Sequence, residues 1–165
     1  MDKYLLFHGW GGSDYPHWQS WLASELAKDY GTVSFPLIQN PHHPNKKKWL
    51  SQYKKHLKSF CPTTVICHSL ACTVWFELCN EKEIDEVDRL LLVAPPGLNC
   101  KIDLLKTFFS STLPKKLFAK EAKLVVSTND PCLSMDEAHR FKEELNIDML
   151  ILENAGHIND KSGYG

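Results

Sequence analysis

The sequence from residue 63 to residue 72 reads Thr63-Thr64-Val65-Ile66-Cys67-His68-Ser69-Leu70-Ala71-Cys72. A short apolar run, typical of a buried strand, passes directly into a helical pattern that begins at Leu70. Ser69 stands at the junction, where a sharp strand-to-helix turn would hold a serine hydroxyl above a sheet. Such turns need small flanking residues, and here Cys67 and Ala71 stand where glycine is usual. The alternative is a serine that only caps the helix.

Similar apolar runs recur along the chain and predict the fold class. With the strand at 64–67, they cover 4–7, 32–35, 90–94, 124–126 and 147–152. The runs lack polar alternation, which indicates strands buried on both faces of a parallel sheet. Helical patterns between them begin near Pro16 and near Trp49. We therefore predict an α/β fold with about six parallel strands and helices on both faces, a three-layer sandwich.

Length, composition and charge restrict the classes of protein. A chain of 165 residues fits one domain, 1–165. The 19 Lys+Arg and 20 Asp+Glu residues give a net charge of −1, without the basic excess of a nucleic-acid binder. The apolar runs are too short for a membrane span or a secretory signal core. We expect a cytoplasmic protein with no nucleic-acid or membrane partner, and nothing in the sequence indicates a protein partner.

Two further residues complete a candidate catalytic triad with Ser69. A serine is a weak nucleophile at neutral pH and needs a base that is oriented by an acid. Asp130 follows the strand at 124–126, and His157 follows the strand at 147–152. The chain order Ser, Asp, His and the positions after strand ends match the order in α/β-hydrolases. Asp130 could instead only stabilise a turn before Pro131, and Glu153 is a rival acid.

A glycine-rich loop after the first strand is the candidate oxyanion hole. It reads His8-Gly9-Trp10-Gly11-Gly12. In this fold one N–H donor comes from the residue after the nucleophile, here Leu70, and the other from a loop that follows an early strand. Glycine allows the backbone of that loop to approach a substrate closely. We assign the second N–H donor to Trp10, and the alternative is an ordinary glycine turn.

These motifs resemble the small serine hydrolases of the α/β-hydrolase fold that include retinoblastoma-binding protein 9. The resemblance spans nearly the whole chain, and the segments that carry it are His8–Gly12, His17–Leu22, Pro41–Pro44, His68–Leu70, Ser127–Pro131 and Gly156–His157. It implies a minimal α/β-hydrolase sheet of about six parallel strands. It also implies that Ser69, Asp130 and His157 form the triad, and that the activity is esterase-like on small acyl esters.

The segment 97–121 joins the fourth and fifth predicted strands and is longer than usual connections. We predict a small helical cap above Ser69, and the alternative is a plain crossover helix. Its apolar residues include Phe108 and Phe109, which with Trp10 on the opposite wall would form a pocket. We expect this pocket to take an uncharged acyl group of modest size.

Cysteines and histidines outside the triad suggest no cofactor. No pair among the six cysteines has C-x-x-C spacing, and we expect reduced, mostly buried thiols. Cys72 lies in the first turn of the predicted helix, where the helix dipole can activate a thiol, but core packing is the favoured interpretation. His42 and His43 have no partner at ligand spacing, so we expect no metal. No nucleotide-binding glycine motif is present.

The residues therefore predict a serine hydrolase that acts on small acyl esters through a covalent acyl-enzyme. Two alternatives stay open on sequence alone. One is a catalytically weak protein-interaction module with the α/β-hydrolase fold. The other is a thioesterase or acyltransferase that uses the same triad.

Overall fold

The computed structural model describes residues 1–110 and 112–165. Within these ranges, six strands alternate with four α-helices and three short 3-10 helices. The strands are β1 (Lys3–Phe7), β2 (Thr32–Ser34), β3 (Thr64–His68), β4 (Val87–Val93), β5 (Ala119–Ser127) and β6 (Asp148–Leu152). The α-helices are α1 (Trp18–Ala27), α2 (Lys46–Phe60), α3 (Leu70–Glu81) and α4 (Met135–Leu145). The 3-10 helices are Lys28–Tyr30, Asp103–Ser110 and Asp160–Ser162.

All six strands form one parallel sheet in the order β2-β1-β3-β4-β5-β6. The predicted fold class is thus confirmed, and each predicted apolar run overlaps one of the strands. None of the helices within the described ranges is both long and apolar enough to cross a membrane.

The helices cover the two faces of the sheet unequally. Alternate residues of a strand point to opposite faces, so Leu92 and Val93 of β4 mark the two sides. Leu92 belongs to the larger core cluster, which also contains buried side chains of α2, α3 and α4. Val93 belongs to a smaller cluster against which Trp18 of α1 packs. Three helices therefore pack on one face, and α1 packs on the other.

Helix α2 illustrates how the sequence forms and places an element. The side chain of Asn45 caps its first turn by accepting the Lys48 N–H at 3.1 Å. Trp49 and Tyr53 are fully buried, and the Tyr53 ring stacks on Phe7 of β1 with ring centroids 3.8 Å apart. The lysines of α2 lie on its polar face.

Strands β4 and β5 begin earlier than the apolar runs predicted. β4 starts at Val87 rather than residue 90, and β5 starts at Ala119 rather than residue 124. Charged residues at these ends remain at the surface, where Lys120 pairs with Asp88 at 2.6 Å. A hydrophobic pattern cannot detect such strand ends because their side chains are solvated.

Candidate active site

Ser69 occupies a turn that ordinary residues rarely adopt. Its backbone has φ 54° and ψ −121° between β3 and α3, a conformation that costs on the order of 1–3 kcal/mol and is characteristic of functional sites. The Ser69 N–H is held by the Val93 carbonyl at 2.9 Å. The Ser69 hydroxyl makes no capping hydrogen bond to α3, so the interpretation of Ser69 as a side-chain N-cap is wrong.

The structure brings together the side chains of Ser69, His157 and Asp130. Ser69 Oγ lies 2.7 Å from His157 Nε2. His157 Nδ1 lies 2.9 Å from Asp130 Oδ2 and 3.0 Å from Oδ1. The Asp130 side chain is completely buried, whereas that of His157 is 17% exposed. In the tautomer that satisfies both contacts, Nδ1–H donates to the carboxylate and Nε2 accepts the serine proton.

The rival acid, Glu153, lies elsewhere. It is exposed, and its carboxylate accepts a hydrogen bond from the Thr128 hydroxyl at 3.3 Å. Asp130, in contrast, also accepts the backbone N–H of Cys132 at 2.8 Å. This second hydrogen bond fixes the carboxylate in the plane that faces the imidazole.

The acid turn and the histidine turn are joined by two polar side chains that the sequence analysis did not single out. Ser127 Oγ accepts the Ala155 N–H at 2.9 Å. Asn129 Oδ1 accepts the Gly156 N–H at 2.7 Å and the Ser127 hydroxyl at 2.9 Å. The loop that carries His157 is therefore anchored directly to the loop that carries Asp130.

The loop after β1 passes immediately beside Ser69. A Cβ atom on Gly9 would lie 2.9 Å from Ser69 Cβ and 3.1 Å from the His68 carbonyl oxygen, so no larger residue fits there. The Gly11 N–H donates to Pro41 O and the Gly12 N–H donates to Gly9 O. Such contacts fix the loop backbone next to Ser69.

The two predicted oxyanion donors, Leu70 and Trp10, both line the cleft above Ser69. Leu70 is the first residue of α3, where backbone N–H groups have no acceptor within the helix and the helix dipole favours negative charge. The Trp10 ring is 44% exposed, and its Nε1–H donates to the His42 carbonyl at 3.0 Å. Trp10 is therefore held between the nucleophile and the loop that contains His42.

The side chain of His8 anchors the glycine-rich loop. Its Nδ1 contacts the Gly9 carbonyl at 2.7 Å, and its Nε2 accepts the Ile38 N–H at 2.8 Å. Burial lowers the pKa of His8, which keeps the ring neutral with Nδ1–H as the donor. His8 thus connects the end of β1 to the segment after β2.

Two more histidines pack around His157, and sequence reasoning gave neither a role. His68 Nε2 contacts the His157 carbonyl at 3.1 Å, and the His68 ring lies 4.8 Å from that of His17. Burial, followed by the charge of His157, lowers the pKa of His68 to about 3. Burial is also the main reason that the pKa of His17 is lowered to about 4. The only signal in the sequence was their position, because His68 directly precedes Ser69 and His17 directly precedes α1.

A cleft of about 680 Å³ opens above Ser69. The predicted pocket residues Trp10 and Phe109 both line it. Phe108 differs from the expectation, because it is 1% exposed and its ring packs 5.9 Å from that of Trp49 in the core. Successive residues of the 3-10 helix Asp103–Ser110 point in different directions, and only one of the two phenylalanines reaches the cleft.

The predicted cap, 97–121, both lines the cleft and covers the sheet; its residue 111 lies outside the described residues. Ile102 and Leu105 contribute to the cleft wall. Leu117 is buried in the core, and its carbonyl accepts the Trp75 Nε1–H of α3 at 3.0 Å. The segment therefore combines features of a cap and of a crossover helix.

The thiols differ in their surroundings. Cys72 is buried in α3, and its pKa is raised strongly by burial, which agrees with core packing rather than an activated thiol. Cys100 and Cys132 instead line the cleft. Within the described ranges, one group of three potential metal ligands occurs, formed by Asp130, Cys132 and His157.

Comparisons with known proteins agree with this architecture. YdeN of Bacillus subtilis (strain 168) is 18% identical over an alignment of 165 positions that covers 96% of this chain and 87% of YdeN. The crystal structure of the B. subtilis ydeN product superimposes with a TM-score of 0.88, at 18% identity, over 99% of this chain and 91% of that one. A YdeN-like protein from Pectobacterium atrosepticum gives a TM-score of 0.81 at 19% identity, over 99% and 83% of the two chains.

A structure of Est1E from Butyrivibrio proteoclasticus with ferulic acid bound gives a TM-score of 0.72 at 12% identity, over 97% of this chain and 82% of Est1E. These structural similarities confirm the α/β-hydrolase fold. The family model described as serine hydrolase matches residues 4–165. The resemblance noted in the sequence is thereby confirmed, and the chain belongs to the serine hydrolase family.

Proposed function

We propose that this serine hydrolase cleaves small acyl esters through a covalent acyl-enzyme on Ser69. The observation that supports this most directly is the continuous contact from Ser69 Oγ to His157 Nε2, at 2.7 Å, and from His157 Nδ1 to buried Asp130, at 2.9 Å. A serine with a base at this distance, and a base with a buried acid behind it, has the geometry required for nucleophilic catalysis.

Acylation begins when Ser69 Oγ bonds to the ester carbonyl carbon and its proton passes to His157 Nε2. Asp130 stays ionised and stabilises the imidazolium that forms, because its carboxylate faces Nδ1–H. The tetrahedral intermediate then releases the alcohol, which takes the proton from Nε2. Water then repeats the sequence: its proton passes to His157 Nε2 as its oxygen bonds to the acyl carbon. The bond between the acyl carbon and Ser69 Oγ breaks, Oγ takes the proton back from Nε2, and the carboxylic acid leaves.

Negative charge on the carbonyl oxygen would be stabilised by the backbone N–H groups of Leu70 and Trp10. This assignment is supported by the position of Leu70 at the start of α3 and by the close approach of Gly9 to Ser69. Each such donor is worth about 2.7–4 kcal/mol of transition-state stabilisation in related chemistry.

The acyl group would occupy the apolar part of the cleft, between Trp10 and the cap 97–121. Ile102, Leu105 and Phe109 supply this wall from the cap. The charged residues of the cleft, Asp14, Asp160 and Lys161, are all exposed. An uncharged acyl chain in the apolar part would avoid the free-energy cost of desolvating a charged group there.

A fluorophosphonate probe tests the proposal, since it forms a stable bond only with an activated serine. We expect one adduct on Ser69, identified by intact mass and peptide mapping. Ser69→Ala should abolish it, and His157→Ala should slow it by at least about a hundredfold, because the base no longer takes the proton. An unlabelled, correctly folded protein would contradict an activated Ser69 and favour the interaction-module alternative.

Turnover of matched short acyl esters and thioesters then defines the leaving group. Faster cleavage of the esters is expected for the proposed activity. Faster cleavage of the thioesters, again abolished in Ser69→Ala, would instead assign a thioesterase to the same triad.

A further inference from the structure

A pair of thiols lies beside the acid and the base of the candidate triad. The side chains of Cys100 and Cys132 lie close enough to influence each other's pKa, and both line the cleft. Backbone hydrogen bonds hold them there. The Gly97 N–H donates to the Cys132 carbonyl at 2.7 Å, and the Cys100 N–H donates to the Gly97 carbonyl at 3.1 Å. The mechanism proposed above uses neither thiol.

Cys132 is also within reach of the triad itself. Three side chains each offer one ligand atom, and these three atoms lie within 4.8 Å of one another; they belong to Asp130, Cys132 and His157. A tetrahedral zinc site has bond lengths of about 2.0–2.3 Å, which place its ligand atoms roughly 3.3–3.8 Å apart. The 2.9 Å contact between Asp130 Oδ2 and His157 Nδ1 would widen slightly, and the sulfur would move inward by about 1 Å.

We propose that Asp130, Cys132 and His157 form an inhibitory site for a thiophilic divalent cation such as Zn²⁺, with the neighbouring Cys100 thiol as its fourth ligand. Two sulfurs, an imidazole nitrogen and a carboxylate oxygen are a ligand set that tetrahedral Zn²⁺ accepts, whereas Mg²⁺ and Ca²⁺ prefer oxygen ligands alone. The cation would be a regulatory ligand, not a cofactor of the hydrolysis.

The Asp130 carboxylate favours a cation at this position, because its side chain is completely buried. A divalent cation would supply the positive charge that stabilises a thiolate beside it. On binding, the two thiols would release their protons to solvent as their sulfurs bond to the metal.

Inhibition would follow from the tautomer of His157. A metal bound at Nδ1 leaves the single ring proton on Nε2, which faces Ser69 Oγ at 2.7 Å. A protonated Nε2 cannot accept the serine proton, so Ser69 would lose its base. Binding at this site stands independently of the proposed function, whereas inhibition rests on it.

The binding experiment uses the full chain with its thiols reduced and Cd²⁺ as the probe. We expect cadmium–thiolate absorption in the ultraviolet that saturates at one equivalent. Cys132→Ser and Cys100→Ser should each weaken binding by at least about tenfold. Cys61→Ser, at an exposed cysteine that does not line the cleft, is the matched control and should bind like the parent. Ser69→Ala should also bind like the parent.

Absence of the absorption, or equal affinity in the parent and both cleft variants, would overturn the site. The inhibition experiment then measures fluorophosphonate labelling with Zn²⁺ or with chelator, each variant against its own chelated rate. Zinc should slow labelling of the parent at least about tenfold and should slow Cys132→Ser much less. Binding without slower labelling would overturn the inhibition, and no labelling even with chelator would overturn the proposed function and leave the cadmium result valid.

Discussion

The side-chain oxygen of Asn129 lies 2.7 Å from the backbone nitrogen of Gly156 and accepts its hydrogen bond. Asn129 immediately precedes Asp130, the candidate acid, and Gly156 immediately precedes His157, the candidate base. The separation of Asp130 and His157 is therefore set by a contact one residue upstream of each. This arrangement makes Asn129 a positioning residue rather than a catalytic one.

Replacement Asn129→Ala should reduce kcat by about tenfold or more with little change in KM. The reason is that the histidine loop loses its anchor, and a misplacement of about 1 Å can cost up to a hundredfold in rate. Steady-state kinetics on a short ester measure both constants. Asn45→Ala is the matched control, because it also removes a side-chain acceptor from a backbone N–H, but at the start of α2. An equal loss of kcat in both variants would mean that general destabilisation explains the effect.

Gly9→Ala should inactivate the enzyme by steric overlap. The new Cβ would approach Ser69 Cβ to 2.9 Å, so the loop or the nucleophile has to shift. We expect fluorophosphonate labelling to slow at least about a hundredfold, as for loss of an oxyanion donor. Gly163→Ala is the control, because it introduces backbone strain without steric overlap. Gly163 has φ +92° and open space around it, so alanine there should lower Tm while labelling continues.

The fold and the meeting of Ser69, Asp130 and His157 could be predicted because their signals are local. Each strand is a short apolar run, and Ser69, Asp130 and His157 each follow the end of one. Parallel strands bring such positions to one edge of the sheet, so the chain order alone predicts that they meet. The glycine-rich loop beside Ser69 was recognisable for the same reason, because its glycines directly follow β1.

The features that sequence could not predict depend on contacts between distant segments. The thiol pair exists because the Gly97 N–H binds the Cys132 carbonyl, and no local pattern indicates that pairing. The direction of Phe108 depends on the rotation of a short 3-10 helix, which hydrophobic spacing does not determine. The histidine cluster near His157 requires the start of α1 to pack next to the turn at Ser69, which is a tertiary contact.

Buried neutral histidines should make folding stability depend on pH. The pKa values of His17 and His68 are lowered to about 4 and about 3, so the unfolded chain binds more protons than the native state as the pH falls below about 6.5. Above that pH both histidines are neutral in the folded and in the unfolded chain, so they do not change the free energy of unfolding. As the pH falls from about 6.5 toward 4, the free energy of unfolding decreases. Each such histidine adds up to ~1.4 kcal/mol per pH unit to the slope.

The histidine contribution can be measured with His17→Asn. Asparagine retains an acceptor for the Gln19 N–H at the start of α1 but does not titrate. Urea unfolding at several pH values between about 4.5 and 7 should therefore give a shallower decrease for this variant than for the parent. Parallel curves for the two proteins would show that His17 does not remain neutral in the native state.

Alanine replacements at the two adjacent phenylalanines of the cap should separate effects on stability from effects on acyl-chain specificity. Phe108 is buried against Trp49, so Phe108→Ala should cost about 3–5 kcal/mol in the free energy of unfolding and leave the preferred acyl length unchanged. Phe109 lines the cleft and is only partly buried, so Phe109→Ala should cost less stability and shift the preference toward longer acyl chains. Urea unfolding and kcat/KM across a series of acyl esters measure the two effects. Should neither variant change the chain-length profile, the acyl pocket does not lie against the cap, and the opposite wall at Trp10 becomes the place to look for it.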